Sequence, residues 1–245
     1  MDVLLVSLLF AAAGYFFELM AVFIALSHHL DGLSFATLRQ SPKAVEVLVK
    51  DVRVSLPAQL GAYLVGWWGM ARCARGRHHM RFFSAIRWQW PRGRWFTFAF
   101  GGAVMWLGVS LLSRVLPIPK GLPIEEAFST RTAAWMLAIF AVAIAPFMEE
   151  MFFRGLLYPA LKRRTGEVIA ILLTALFFAL LHSAQLANSW GPLLVLFLVG
   201  VVLTLVRSRT GSVAASLLVH IGYNAAIFVA MFVVTGGFRH LERMK

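Results

Sequence analysis

The chain alternates between long runs of apolar residues and short connections in which basic residues collect. Each run is continuous rather than alternating between apolar and polar positions, which favours membrane-spanning helices over the strands of a membrane barrel. The pattern therefore predicts an all-α fold, a polytopic transmembrane helix bundle of about seven spans, with eight as the alternative count. The predicted spans are residues 3–26, 56–70, 95–116, 133–161, 168–186, 192–206 and 213–235.

Composition supports a membrane protein and argues against a soluble one. Hydrophobic residues make up 60% of the chain and charged residues 14%, against roughly 45–50% and about 25% in soluble domains. The net charge of +12 would suggest nucleic-acid binding in a soluble protein. No nucleic-acid motif accompanies it, and the basic residues lie between apolar runs, where they orient spans and meet lipid headgroups. We therefore expect a lipid bilayer as surroundings and no nucleic acid as partner.

One connection, the basic loop of residues 72–94, carries seven arginines and no acidic residue. The rule that basic loops stay inside places it on the cytoplasmic side. Trp88 and Trp90 lie among these arginines, and Trp95 follows them. Two interpretations are open: an aromatic belt at headgroup depth, or a docking surface for an acidic partner. The expected location of the chain is a multi-pass position in a bacterial inner or plasma membrane.

Six ionisable side chains and one amide interrupt the predicted spans. A charge in hydrocarbon costs at least about 2.5–3.5 kcal/mol, so each is a candidate for function. They are Glu18, Glu149, Glu150, Arg154, His182, His220 and Asn224. Glu18 stands alone on the first span, either as a buried partner for an arginine or as a residue on a substrate path. The others fall on the fourth, fifth and seventh spans.

Depth and spacing predict that the six polar residues of the fourth, fifth and seventh spans share one site. Glu149 and His182 both lie about 25 Å from the turn at residues 165–166, if the spans are straight helices. His220 and Asn224, at roughly 14–20 Å from the same side, overlap with that level. His220 and Asn224 are four residues apart on one helix face, as are Glu150 and Arg154, which can pair. Glu149 is rotated by about 100° from Glu150 and can point elsewhere.

Three short patterns carry the polar residues in order. Residues 149–154 read EExxxR, residues 178–182 read FxxxH and residues 220–224 read HxxxN. In this order, each within an apolar helix, they resemble the CPBP family, also called the Abi family, which contains CAAX prenyl endopeptidases and bacteriocin-processing or immunity proteins. The resemblance covers about residues 130–235. It divides the chain into N-terminal membrane helices with the basic loop (1–130) and a CPBP-like catalytic membrane core (131–245), within one bundle.

The resemblance implies a glutamate-dependent intramembrane endopeptidase that acts on a membrane-anchored or lipidated protein or peptide. By the same resemblance, Glu149 is the general base that activates water, and His182 helps to hold that water. His220 and Asn224 stabilise the oxyanion, while Glu150 and Arg154 support the site as an ion pair. The chemistry is consistent with this, because an apolar surround raises the pKa of a carboxyl group and suits it to act as a base.

No cofactor is expected, but a divalent metal is the alternative. A zinc site with an open fourth position can have two histidines and a glutamate as ligands, and these would be Glu149, His182 and His220. An HExxH pattern is absent from the sequence, which argues against a zinc protease of that type.

Other interpretations of the same residues remain open. The polar residues could form a structural network that holds three helices together. A non-catalytic immunity or scaffold protein could bind a peptide through the same cavity, and a transporter could use a Glu/His proton relay. Ser216 lies four residues before His220 and suggests a serine nucleophile, although we expect its hydroxyl to bond its own helix.

Overall fold

The computed structural model describes residues 2–28, 49–78 and 81–244. The described residues form helices and no β-strand. The helices are α1 (Asp2–Ser27), α2 (Val52–His78), α3 (Phe82–Ala85), α4 (Trp95–Leu112), α5 (Pro123–Glu126), α6 (Arg131–Thr165), α7 (Glu167–Leu181), α8 (Trp190–Thr210) and α9 (Val213–Val234). The all-helical prediction is confirmed.

Five of these helices are long and apolar enough to cross a membrane, namely α1, α4, α6, α8 and α9. The second predicted span is a longer helix than expected, but it ends in a stretch rich in arginine. The fifth predicted span is shorter, because α7 has 15 residues and ends at Leu181. His182 therefore follows its helix directly, whereas the sequence predicts it inside a span. Large apolar side chains also face outward, among them Leu181 at 64% and Val233 at 71% exposure, as expected of a lipid-facing surface.

The chain divides into two compact units, Met1–Arg77 and His78–Lys245. In the first unit α1 packs on α2, where the rings of Phe10 and Tyr63 lie 5.6 Å apart. The division predicted at residue 130 rests on function rather than packing, and it stays a prediction.

Close contact between α4 and α9 fixes the second unit. A Cβ atom at Gly102 would collide with the carbonyl oxygen of Val219, and one at Gly222 would collide with that of Ala99. Only glycine allows the two backbones to approach so closely, as in other membrane helix pairs. The pairing holds α9, which carries His220, in a fixed position.

The basic loop is partly built into the second unit. Trp88 packs edge-on against Phe147 of α6 with the ring centroids 5.5 Å apart, and the Arg87 carbonyl accepts a hydrogen bond from Val213. Trp90 and Trp95 are 50% and 51% exposed. Residues 79 and 80 lie outside the described residues. For the basic loop as a whole, the aromatic belt at headgroup depth and the docking surface for an acidic partner both stay predictions.

Candidate active site

Glu149 lies between two imidazole rings from other parts of the chain. Its Oε1 atom is 3.9 Å from Nε2 of His182, and its Oε2 atom is 3.8 Å from Nε2 of His220 on α9. These separations exceed a direct hydrogen bond, and each lets one water molecule contact both partners. The side chains of Glu149 and His182 are 13% and 21% exposed, so the group is largely enclosed without being sealed.

The backbone of α7 fixes the orientation of His182. Its Nδ1 atom is 2.9 Å from the carbonyl oxygen of Phe178, one turn earlier. A carbonyl only accepts, so Nδ1 carries the proton and Nε2 of the neutral ring is the acceptor. A water between Glu149 and His182 thus meets two acceptors. It can donate both hydrogens to them and leave its lone pairs free.

Glu150 faces away from Glu149 and anchors His220 from behind. Its Oε1 atom accepts hydrogen bonds from Nδ1 of His220 at 2.9 Å and from Arg154 at 2.8 Å, while Ser216 donates to Oε2 at 2.7 Å. The Glu150 and Arg154 side chains are fully buried. Because Nδ1 of His220 is occupied in this way, its Nε2 atom can donate to a substrate only when the ring is an imidazolium.

Arg154 is held on every side by polar and aromatic partners. Nε is 3.3 Å from the Thr204 hydroxyl and a terminal nitrogen donates to the Gly200 carbonyl at 3.1 Å, both on α8. Its guanidinium carbon lies 4.8 Å from the ring centroid of Phe178. A buried cation needs such partners, because an unpaired one is very costly in a protein interior.

Phe178 explains the aromatic position of the FxxxH pattern. Its side chain is buried, and its ring centroid lies 5.0 Å from that of His182 and 5.8 Å from that of His220. The same ring thus contacts the Arg154 guanidinium and both imidazoles, and it packs these groups together.

Helix α6 contains a π-helical segment at Phe140–Ile144, before the glutamates. Here the Ala145 N–H donates to the carbonyl of Phe140, five residues back. The next donor would serve Ala141, but that residue is Pro146, which has no N–H. The Ala141 carbonyl instead accepts from the side-chain amide of Asn224 at 2.6 Å.

The same arrangement recurs after the glutamates, at Met151–Leu157. The Tyr158 N–H donates to the carbonyl of Phe153, and Pro159 leaves the Arg154 carbonyl without a backbone donor. Nε of Arg207, which is 5% exposed, donates to that carbonyl at 3.1 Å. Two proline-terminated π segments thus bracket Glu149 and Glu150, each completed by a side chain from another helix. Such segments are frequent at functional sites.

The structure therefore brings Glu149, His182 and His220 together, with Glu150 and Arg154 directly behind them. Asn224 is on the same helix as His220, but it donates one amide hydrogen to the backbone of α6, about 12 Å along that helix from Glu149. Glu18 belongs to the first unit, and neither interpretation of it is tested.

The expectation that Ser216 bonds its own helix is wrong. Its hydroxyl reaches Glu150, and it also lies 2.9 Å from the carbonyl of Leu203 on α8. The hydroxyl is completely buried and its single hydrogen has two acceptors at hand. Ser216 is thus a supporting partner of Glu150, and its burial argues against a nucleophile.

The metal alternative does not fit this geometry. Two donors on a tetrahedral zinc ion lie about 3.4 Å apart, given bonds of about 2.0–2.2 Å. The carboxylate–imidazole distances of 3.9 and 3.8 Å are longer and involve different oxygens of Glu149. Within the described ranges, no group of three His, Cys, Asp or Glu side chains is arranged to hold a metal.

Sequence reasoning missed Arg207, Thr204 and the supporting role of Ser216. Ser216 had a signal, since it lies one helical turn from His220 on the same face. Arg207 had none, because an arginine at the end of a span is typical of a topology signal. The prolines of α6 were visible in the sequence, but the partners of the carbonyls they free come from distant helices.

Comparison with known proteins agrees with the motif-based expectation. Residues 131–226 match the family model described as type II CAAX prenyl endopeptidase Rce1-like. A protein of Escherichia coli described as an uncharacterized 24.3 kDa protein is 31% identical over 124 residues, which is 48% of this chain and 55% of that protein. The chain thus spans about half the length of this curated relative. No solved structure matches the chain. The family match and the five apolar helices together support an integral membrane protein, and the similarity of residues 131–226 to CAAX prenyl endopeptidases supports the resemblance to the CPBP family.

Proposed function

We propose that this chain is an intramembrane endopeptidase that hydrolyses a peptide bond of a membrane-anchored or lipidated protein or peptide, in a bacterial inner or plasma membrane. One observation carries the proposal. Each oxygen of the Glu149 carboxylate lies 3.8–3.9 Å from the Nε2 atom of an imidazole, and the three side chains are largely buried in an apolar bundle. Carboxylate and imidazole at water-bridging distance are the groups that activate water for acyl transfer.

The reaction starts from a water held by Glu149 and His182. The carboxylate of Glu149 takes one proton as the water oxygen attacks the peptide carbonyl carbon, which forms the tetrahedral oxyanion. His220, as an imidazolium paired with Glu150, donates to that oxyanion. Glu149 then gives its proton to the departing amine as the carbon–nitrogen bond breaks.

A deletion and complementation experiment tests this function. In cells that lack the gene, a membrane protein is expected to accumulate in uncut form, and the wild-type chain restores the shorter product. The His182→Ala chain is expected not to restore it, because the water loses its second acceptor. Quantitative proteomics of peptide termini in the membrane fraction measures both forms.

The same experiment separates the enzyme from a binding protein. If His182→Ala restores the cut product as fully as the wild type, the proposed chemistry is wrong. If no terminus changes between the deletion strain and the complemented strain, the immunity or scaffold interpretation replaces the protease. Western blotting of the variant in membranes confirms that equal amounts of chain are compared.

A further inference from the structure

We propose that a cavity at the basic end of the second unit binds the phosphate of an anionic phospholipid. The cavity has a volume of about 510 Å³ and lies where the end of the basic loop meets α4, the end of α8 and the start of α9. Its lining includes Trp90, Arg94, Arg209 and the hydroxyl residues Thr210 and Ser212.

The charge of this lipid cavity is uncompensated. No acidic residue lines it, and the sequence has none between Asp51 and Glu125 or between Glu167 and Glu242. Glu167 interacts electrostatically with Arg209, but its carboxylate is already paired with Lys162 at 3.1 Å and accepts a hydrogen bond from Ser208. Among the described residues, neither arginine has a carboxylate within 4.0 Å, and guanidinium groups are the side chains that bind phosphate in bidentate fashion.

The surroundings point to an amphiphilic ligand rather than a free ion. Phe98 of α4 also lines the cavity, and its ring centroid lies 6.0 Å from the guanidinium carbon of Arg94. A phosphate held by Arg94 and Arg209 would leave acyl chains beside this ring. Basic pockets between the ends of membrane helices, next to an interfacial tryptophan such as Trp90, are suited to anionic headgroups.

Binding measurements on the purified full chain test the lipid cavity independently of proteolysis. The protein in neutral detergent is titrated with phosphatidylglycerol, phosphatidylcholine or inorganic phosphate, and bound lipid is counted by native mass spectrometry alongside the melting temperature. We expect phosphatidylglycerol to bind and stabilise. Arg94→Gln with Arg209→Gln should weaken its binding by about tenfold for each arginine removed.

The matched control is Arg163→Gln with Arg164→Gln, two exposed arginines outside the cavity lining that should leave the affinity unchanged. Equal loss in both double variants would mean general charge attraction and overturn the proposal. So would equal binding of phosphatidylcholine, or stabilisation by inorganic phosphate at the same concentration as the lipid. The double variant must melt like the wild type without lipid, which keeps a folding defect apart from a binding defect.

We further infer, from a different observation, that Arg207 is a positioning residue for the active site. This second inference rests on the proposed function. It touches none of the three facing groups, but its Nε–H donates to the Arg154 carbonyl that Pro159 leaves without a backbone partner. The Arg154 side chain pairs with Glu150, which in turn holds His220. Loss of Arg207 should therefore move His220 through the π segment rather than remove a reacting group.

Rescue at Pro159 tests this role. Arg207→Gln is expected to lower the melting temperature by about 2–4 °C or more and to lower kcat with little change in KM. Pro159→Ala restores a backbone N–H five residues after Arg154, so it should recover part of both losses in the Arg207→Gln background. In the wild-type background Pro159→Ala should have a small effect.

The two readouts distinguish the inference from the proposed function. If the wild type shows no proteolysis, the proposed function is wrong. The melting temperatures of the wild type, the two single variants and the double variant still test the role of Arg207. Additive losses in the double variant would mean that the two residues do not share the Arg154 carbonyl, and they would overturn the inference.

Discussion

The Glu149→Gln variant is expected to fold normally and to cleave its substrate about 10²–10⁴-fold more slowly than the wild type. The amide has nearly the shape of the carboxylate but cannot accept the proton of the attacking water. Among the residues that the structure describes, Glu149 has no direct hydrogen-bond partner, and its contacts with the imidazoles are 3.8–3.9 Å long, so the change leaves no described protein group unsatisfied. Single-turnover cleavage in proteoliposomes measures the rate, and the melting temperature in detergent checks the fold.

Two controls accompany this measurement. Glu242→Gln makes the same change at an exposed carboxylate in the last helical turn, and it should leave the rate unchanged. The wild type is also assayed with and without a chelator. Full activity of Glu149→Gln would remove Glu149 as the base. Loss of wild-type activity with the chelator would instead mean that the reaction depends on a metal ion.

Arg154→Met is expected to cause the largest loss of stability, about 3–5 kcal/mol in the free energy of unfolding. The change removes the cation that pairs with Glu150 at 2.8 Å, and both side chains are fully buried. The Glu150 carboxylate then keeps only its contacts with His220 and Ser216 in a low-dielectric interior. Denaturant titration in mixed micelles measures the loss. Arg163→Met on the same helix, where the side chain is exposed, should change the free energy little.

A second variant separates charge from packing. Replacing both Glu150 and Arg154 by methionine removes the pair without leaving a lone charge, and it should recover much of the lost stability. The same double variant should cleave poorly, because His220 loses the carboxylate that accepts from its Nδ1 atom. An Arg154→Met protein within about 1 kcal/mol of the wild type would show that the ion pair is not the main support of the site.

The sequence was a good guide wherever one helix decides the outcome. The spacing of Glu150 and Arg154 predicts a pair on one face, and the structure contains that pair. The spacing also turns Glu149 away from Glu150, and the two carboxylates do have different partners. The ends of the predicted spans agreed less well with the structure. The predicted fifth span extends to residue 186, but residues 182–186 read HSAQL, the helix ends at Leu181, and two positive-φ residues, Ala187 and Asn188, follow soon after.

Partners across helices were the part that sequence reasoning could not reach. Asn224 shares a face with His220, which favours a joint role at the oxyanion, but its amide bonds the Ala141 carbonyl. That carbonyl needs a donor only because Pro146 follows a π segment, and helical periodicity assumes a regular 3.6-residue turn. Ser216 and Arg207 likewise act on groups 66 and 53 residues away in the chain.

The amino-acid sequence alone determined that the chain is helical and membrane-embedded, and it singled out the few polar residues that lipid would exclude unless they had a purpose. Those properties follow from local composition and from spacing along single helices. Only the tertiary structure decided which polar groups face one another: Glu149 with the two imidazoles, Glu150 behind His220, and Asn224 and Arg207 on the backbone of α6. The physical reason is that hydrogen bonds act over about 3 Å, and such distances between separate helices depend on packing that no local pattern records.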